Sequence, residues 1–167
     1  MEFKLREWEN EDLGNLVKYA NNKKIASKLT NKFTYPYTEE NGKWFINFSK
    51  SHNPRLIFAI DIEGQAVGSI GVHPQEDIFR KNAELGYWLA EPYWGRGIIT
   101  SAIERMVDYG FKTFDLDRIF ARPFGSNIGS QRVLEKAGFK LEAKFESTIY
   151  KMGQYEDELV YAIRKKK

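Results

Sequence analysis

The chain contains no cysteine, which excludes disulfides, thiolate zinc sites and covalent catalysis through a thiol. Histidine is almost as scarce. His52 precedes Asn53-Pro54 and reads as part of a solvated loop, whereas His73 precedes Pro74 at a strand end, and neither has a metal partner nearby in sequence. No metal is expected. Nowhere do eighteen apolar residues run together, and Met1-Glu2-Phe3-Lys4 opens without an apolar signal region. No membrane association is therefore expected, and a cytoplasmic location is the default. A large excess of one charge is also missing. Lys and Arg number 26 against 23 Asp and Glu, for a net +3, and Arg164-Lys165-Lys166-Lys167 alone holds four positive charges, so the body carries 3 − 4 = −1. A general basic face for nucleic acid is not expected. No repeat or low-complexity linker interrupts the chain, and 167 residues at 42% hydrophobic content suit one sizeable core, hence one domain over 1–167.

What the chain does have is a strand that delivers a glycine-bracketed turn onto a helix start. Leu85, Tyr87 and Leu89 alternate through Glu84-Leu85-Gly86-Tyr87-Trp88-Leu89, and Pro92 breaks the strand. Ile98, Ile99, Ala102, Ile103, Met106 and Val107 then keep helical spacing. Between them lies Trp94-Gly95-Arg96-Gly97. Glycines at such a bend let successive amide N–H groups converge on an anion, and the first helical turn adds donors and a positive dipole end. A phosphorylated ligand is implied. No Lys follows a glycine as a P-loop requires, and Thr100 stands where a dinucleotide fingerprint needs its third glycine.

A second segment, Asn127 to Phe139, follows the short apolar run Arg118-Ile119-Phe120-Ala121. Asn127 or Ser126 suits the N-cap of a helix, Val133, Leu134 and Ala137 form its inward face, and Gly138 suits the left-handed stop with Phe139 packing back. Asn127 and Ser130, three apart, place two hydrogen-bonding side chains on one face of the first turn. Elsewhere, Phe3, Leu5 and Trp8 begin a strand, Glu11 to Ala20 forms a helix, and Asn21 to Leu29 continues helical after a break. Thr30 to Thr38 is a loop, and Thr38 caps a helix carrying Trp44, Phe45 and Phe48. Leu56 to Ile62 and Gln65 to Val72 pair across Glu63-Gly64, and Leu141 to Lys151 pairs with Gln154 to Arg164 around Gly153. The result is a mixed α/β (α+β) fold with helices on both faces of the sheet.

Five stretches, in this order, resemble the GNAT superfamily of N-acetyltransferases, and within it the branch of the ribosomal-protein-alanine N-acetyltransferases. They are Phe33 to Trp44, Ala66 to Gly71, Glu84 to Thr100, Asn127 to Phe139 and Gly153 to Tyr161. The resemblance implies an acyl-CoA N-acyltransferase fold, a mostly antiparallel mixed sheet of about seven strands. It also implies a fourth and fifth strand that splay to admit the pantetheine arm of acetyl-CoA. The family turn, Gln/Arg-x-x-Gly-x-Gly/Ala, falls on Trp94 to Ile99. Trp94 replaces the polar residue and keeps its backbone N–H, and Ile99 replaces Gly/Ala, at no cost if it points into the core. Cofactor contacts are accordingly expected from Trp88, Leu89, Trp94, Gly95, Arg96, Gly97, Ile98, Ile99, Thr100, Asn127 and Ser130.

By the same resemblance, the activity is acetyl transfer from acetyl-CoA to a primary amine by direct attack, without metal. An amine is protonated near neutrality, so a base or ordered water is needed. Glu84 is the first candidate, or else a strand-end charge in solvent. Asp157 is the second, or else an ion pair with a neighbouring strand. A backbone N–H at Leu89 or its neighbour would meet the oxyanion. The Tyr that many members carry seven places after the Asn is Leu134 here, so Ser130 is expected to hydrogen-bond the departing sulfur, unless it serves only the helix start. Asn127 would bond a pantetheine amide or act as a simple cap. Phe33, Tyr35 and Tyr37 would wall the acceptor pocket or pin their loop to the body; Glu84 and Tyr155 complete the expected acceptor contacts, with His73 a possible proton shuttle. The acceptor is a protein N-terminus or a small cationic amine such as an amino acid, polyamine or aminoglycoside. A non-catalytic acyl-CoA sensor is the alternative, and the last hairpin offers an edge for a homodimer.

Overall fold

The computed structural model describes residues 1–167. Seven strands form one sheet in the order β1-β2-β3-β4-β5-β7-β6. They are β1 (Lys4–Arg6), β2 (Ile57–Ile62), β3 (Gln65–Pro74), β4 (Asn82–Leu89), β5 (Arg118–Ala121), β6 (Lys140–Lys151) and β7 (Gln154–Arg164). β4 and β5 are parallel; β1 with β2, β2 with β3, β5 with β7 and β6 with β7 are antiparallel. The helices are α1 (Leu13–Ala20), α2 (Lys23–Ala26), α3 (Glu39–Lys50), α4 (Ile98–Thr113) and α5 (Ile128–Lys136). The order of elements is the one expected from the sequence. The chain packs as two compact units, Met1–Gly71 with Tyr87–Ile98, and Val72–Gly86 with Ile99–Lys167.

In the first unit the opening strand is shorter than the apolar spacing suggests. Trp8 lies beyond its end yet is buried, edge-on to Phe45. Asn10–Asp12 forms a single 3-10 turn before α1, and the expected helix over Asn21 to Leu29 contracts to α2, capped by Asn22. Thr38 caps α3 as its residue type demands. Its hydroxyl accepts from Asn41 N–H at 3.1 Å while Asn41 Oδ1 accepts from Thr38 N–H at 2.9 Å, so two orphan donors are satisfied reciprocally. Gly42 lets α3 approach α1, since a Cβ there would stand 2.8 Å from Leu13 Cδ1 and 3.2 Å from Val17 Cγ2. The core of this unit gathers Trp8, Leu16, Ile25, Tyr37, Ile46 and Trp88.

One partly buried ion network crosses the start of this unit. Arg6 donates to both carboxylate oxygens of Asp12 at 2.8 Å and to Asp61 at 2.6 Å. Burial works against Asp12 ionisation, yet the Arg6 hydrogen bonds, with that from Glu9 N–H at 2.9 Å, outweigh it and hold the carboxyl below its ordinary range. Asp61 also accepts from Gly64 N–H at 2.8 Å, which links the network to the β2–β3 turn, where Glu63 and Gly64 both have positive φ.

In the second unit α4 packs closely on β5, because a Cβ on Gly110 would lie only 3.1 Å from Ile119 Cδ1. β6 and β7 form the long closing hairpin, turning through Met152 (φ 49°) and Gly153 (φ 76°). α5 ends as read from its sequence. Gly138 takes φ 94°, Phe139 N–H reaches Leu134 O at 3.0 Å, and the Phe139 ring is buried.

Two stability predictions follow from these contacts. A Cβ on Gly68 in β3 would lie 2.6 Å from Trp88 O in β4, so Gly68→Ala is expected to cost about 1–3 kcal/mol in urea unfolding. Because the folded pKa of Asp12 is depressed, its contribution is complete above the unfolded carboxyl value of about 3.9. That contribution is lost as pH falls through the lower folded value. Acid titration of stability should therefore show a steeper decline in the wild type than in Asp12→Asn as pH falls from about 3.9 toward the lower folded value.

Candidate functional site

The glycine turn is built on the end of β4. After Ala90, residues Glu91–Tyr93 make a 3-10 turn closed by Trp94 N–H on Glu91 O at 3.1 Å. The Trp94 backbone N–H expected to face a ligand is thus already engaged. Its indole folds back instead, donating from Nε1 to Leu89 O at 2.7 Å. Glu91 is anchored by Asn22 Nδ2 at 2.9 Å and by Lys24. With both ends tied, the chain bends through Gly95 (φ 73°) and Gly97 (φ 76°), conformations that L side chains rarely adopt.

The N–H groups of Gly95, Arg96 and Gly97 donate to no backbone acceptor, and a Cβ on either glycine would point into open space. Ile98 is buried and pins the first turn of α4, while Ile99 and Thr100 are half-buried, so the inward branched residue is Ile98 rather than Ile99. Arg96 is exposed with its guanidinium 5.9 Å from the Tyr93 ring centroid. N–H groups without backbone acceptors between left-handed glycines, a helix start and one exposed cation have the chemistry a diphosphate requires. The residues fit a diphosphate-bearing cofactor.

Around this turn, Leu89 and Trp88 are buried. Ala90 N–H is committed to Val67 O at 2.8 Å, so that neighbour of Leu89 is not an oxyanion donor. Trp88 meets Phe33 edge-on at 5.9 Å, and Phe33 meets Tyr37 at 5.2 Å. Tyr37 is buried, and burial pushes its hydroxyl up to about 12. Phe33 and Tyr37 therefore pin their loop to the core. Tyr35, at 48% exposure, is the ring of the three that is open to solvent.

The second unit carries the other expected residues. The β4–β5 ladder pairs Asn82, Ala83 and Glu84 with Arg118, Ile119 and Phe120, and ends there although β4 continues to Leu89. Glu84 stands at that end in a bidentate pair: Arg122 Nε donates to Oε2 at 2.6 Å and Nη2 to Oε1 at 3.2 Å. Arg122 Nη1 also lies 3.6 Å from Glu158 Oε1. The hydrogen bond to Glu84 strengthens the hold of the guanidinium on its proton.

Asn127 caps α5, its Oδ1 accepting from Ser130 N–H at 3.2 Å. The cap uses the carbonyl end of the amide and leaves the NH2 end to donate elsewhere. Ser130 is half-buried in the first turn, and Leu134 is fully buried in the core. Asp157 is held structurally. Its Oδ1 accepts from Ser147 N–H at 2.9 Å, where β6 departs from register at φ 51°, and Lys144 Nζ lies 3.7 Å from its Oδ2. Glu156 accepts from Ser126 Oγ at 2.8 Å. Tyr155 is exposed at the hairpin end and faces Tyr150 at 5.1 Å.

His52 lies edge-on to Phe48, and His73 is half-buried in β3. No group of three or more His, Cys, Asp or Glu comes together to hold a metal ion, and no helix is long and apolar enough to cross a membrane. Sequence reasoning missed Arg122 and Glu158. The register supplies the signal: Arg122 lies two residues past Phe120, the partner of Glu84, so alternation returns it to the face of Phe120.

Comparison with known proteins gives a consistent picture. The family model described as acetyltransferase (GNAT) domain matches residues 2–140. A putative ribosomal N-acetyltransferase of Bacillus subtilis is 34% identical over 62% of this chain and 56% of its own length. The spermidine N(1)-acetyltransferase of Escherichia coli is 25% identical over 91% of this chain and 80% of its own. A crystal structure of a GNAT-family acetyltransferase from Bacillus anthracis superposes with a TM-score of 0.83 at 26% identity, covering 98% of this chain and 95% of that one. The matched segment spans about half the length of the first curated relatives, 56%, 56% and 46%.

The turn itself yields a prediction. Since nothing lies within 4 Å of a Cβ on Gly97 and its φ is 76°, Gly97→Ala meets conformational strain without a clash. Its expected effect is a loss of about 1–2 kcal/mol in unfolding free energy, with the far-UV spectrum unchanged.

Proposed function

The chain belongs to the acetyltransferase (GNAT) domain family, and from that premise we propose that it transfers an acetyl group from acetyl-CoA to a primary amine by direct attack in a ternary complex. The observation that carries this reading is the Trp94–Thr100 turn, with two left-handed glycines opening onto α4. Acetyl-CoA, when bound, supplies an acyl group activated as a thioester. Gly95, Arg96 and Gly97 would hold its diphosphate through backbone N–H groups, with the Arg96 guanidinium adding charge. The Asn127 NH2 would donate to a pantetheine carbonyl. Ser130 would donate to the departing sulfur, whose thiol has an ordinary pKa of about 8.5, so a hydrogen bond to the thiolate suffices.

Glu84 is the carboxylate for the acceptor amine. Arg122 occupies one lone-pair direction on each of its oxygens and leaves others to accept from an amine or an ordered water. Asp157 is tied to Ser147 and Lys144, and its role is to shape the hairpin. Tyr35 and Tyr155, both exposed, are each proposed as acceptor contacts. Relatives named for ribosomal and for spermidine substrates support an amine acceptor of either kind, a protein N-terminus or a small cationic amine.

Thermal unfolding with acetyl-CoA, CoA, NADH and ATP side by side tests this reading. Only the CoA species should raise the melting temperature, by about 2.7 kcal/mol of added stability at 100-fold excess over Kd. Asn127→Asp keeps a side-chain cap and removes the NH2 donor, so it should melt like the wild type without ligand and respond less to CoA. Stabilisation by a dinucleotide alone overturns the assignment. Acetyl-CoA binding with no thiol release across a panel of amines makes the domain a sensor instead.

A further inference from the structure

Arg122 stands at a defined place. It follows the last residue of β5 and precedes Pro123, which biases it to extended backbone. The segment after it is fixed to β7 on both sides of Glu158: Leu159 N–H donates to Pro123 O at 3.0 Å and Gly125 N–H to Asp157 O at 2.8 Å. Phe124 and Glu158 form an antiparallel bridge between those bonds. The guanidinium is therefore carried on a braced backbone, at the point where the β4–β5 ladder stops.

Its hydrogen bonding is incomplete. A guanidinium has five N–H donors. Nε and Nη2 serve Glu84 at 2.6 and 3.2 Å, whereas Nη1 comes no nearer to Glu158 than 3.6 Å, beyond hydrogen-bond range. The Arg122 side chain is 51% exposed, against 28% for Glu84 and 24% for Glu158. Solvent thus meets a carboxylate that still has lone pairs directly beside a cation that still has donors. An amino-acyl end presents the opposite arrangement, an ammonium beside a carbonyl oxygen. A polyamine presents ammonium groups separated by methylenes and has no acceptor to offer the guanidinium.

On the acetyl-transfer reading above, we propose that Arg122 is a specificity-determining residue that donates to the carbonyl of an amino-acyl acceptor while Glu84 takes its amine. The site thereby selects N-terminal α-amines over polyamines. The attraction for the wanted acceptor and the like-charge repulsion of the unwanted one come from the same side chain. Replacing Arg122 removes both.

The experiment compares an uncapped tripeptide amide with spermidine as acceptors, at saturating acetyl-CoA, by thiol release. Wild type, Arg122→Gln and Arg122→Lys are measured, each checked for an unaltered melting response to acetyl-CoA. Wild type should favour the tripeptide amide. Arg122→Gln should lower its kcat/KM about 10- to 100-fold, mainly through KM, as expected for one lost charge-assisted hydrogen bond. Spermidine turnover should hold or rise. Arg122→Lys retains the charge without the fork, should lose less, and carries the comparison if the Gln variant melts early. Equal loss for both acceptors, or a wild-type preference for spermidine, overturns the role of Arg122 and leaves acetyl transfer standing. No thiol release from any amine by a wild type that acetyl-CoA stabilises overturns the transfer reading, and this one with it.

Discussion

Parallel pairing of β4 with β5 is the constraint from which the rest of the molecule takes its order. Parallel neighbours cannot be joined by a tight hairpin; the chain must leave the end of one strand and return to the start of the next, and α4 makes that return. A crossover helix necessarily begins beyond the carboxyl end of the preceding strand, where its first N–H groups lack partners. Gly95 and Gly97 carry that obligatory bend through the left-handed region. The 3-10 turn at Glu91–Tyr93, the Trp94 indole on Leu89 O and the Glu91 contacts to Asn22 and Lys24 keep the bend from collapsing onto its own carbonyls.

The same ladder is short, three residue pairs ending at Glu84 and Phe120. Backbone beyond such an end must find partners outside the ladder, as Leu89 O does in the Trp94 indole. Charged side chains tolerate the location because it is partly solvated. Glu84, Arg122 and Glu158 meet there from β4, from the residue after β5 and from β7, with the bidentate Glu84–Arg122 contact giving orientation that a single ion pair would lack. Close backbone packing elsewhere, Gly68 against Trp88 O and Gly110 against Ile119, has a different origin: the sheet and α4 come nearer than a side chain allows.

Much of the fold was legible because its signals are local. Thr38 and Asn127 cap the helices they precede, Gly138 stops α5 in the left-handed region, and Glu63-Gly64 and Met152-Gly153 turn their hairpins. Strand ends were less legible: β1 stops at Arg6, and Trp8, apparently in phase with it, is buried from outside the strand. The aromatic residues divided in a way that composition does not signal. Phe33 and Tyr37 went to the core and Tyr35 to solvent, because burial depends on what lies opposite each ring.

By itself, the sequence determined the order of elements, the glycine bend before α4 and the Asn-x-x-Ser start of α5, since each rests on backbone preferences and hydrogen bonds within a few residues. Tertiary structure alone decided what the charged groups do. Glu84 and Asp157 looked alike as candidate bases, but one faces Arg122, distant in sequence, and the other is fastened to Ser147 and Lys144 across a hairpin. The role of a carboxylate follows from its donors and its solvation, and both are set by residues that only folding brings within reach.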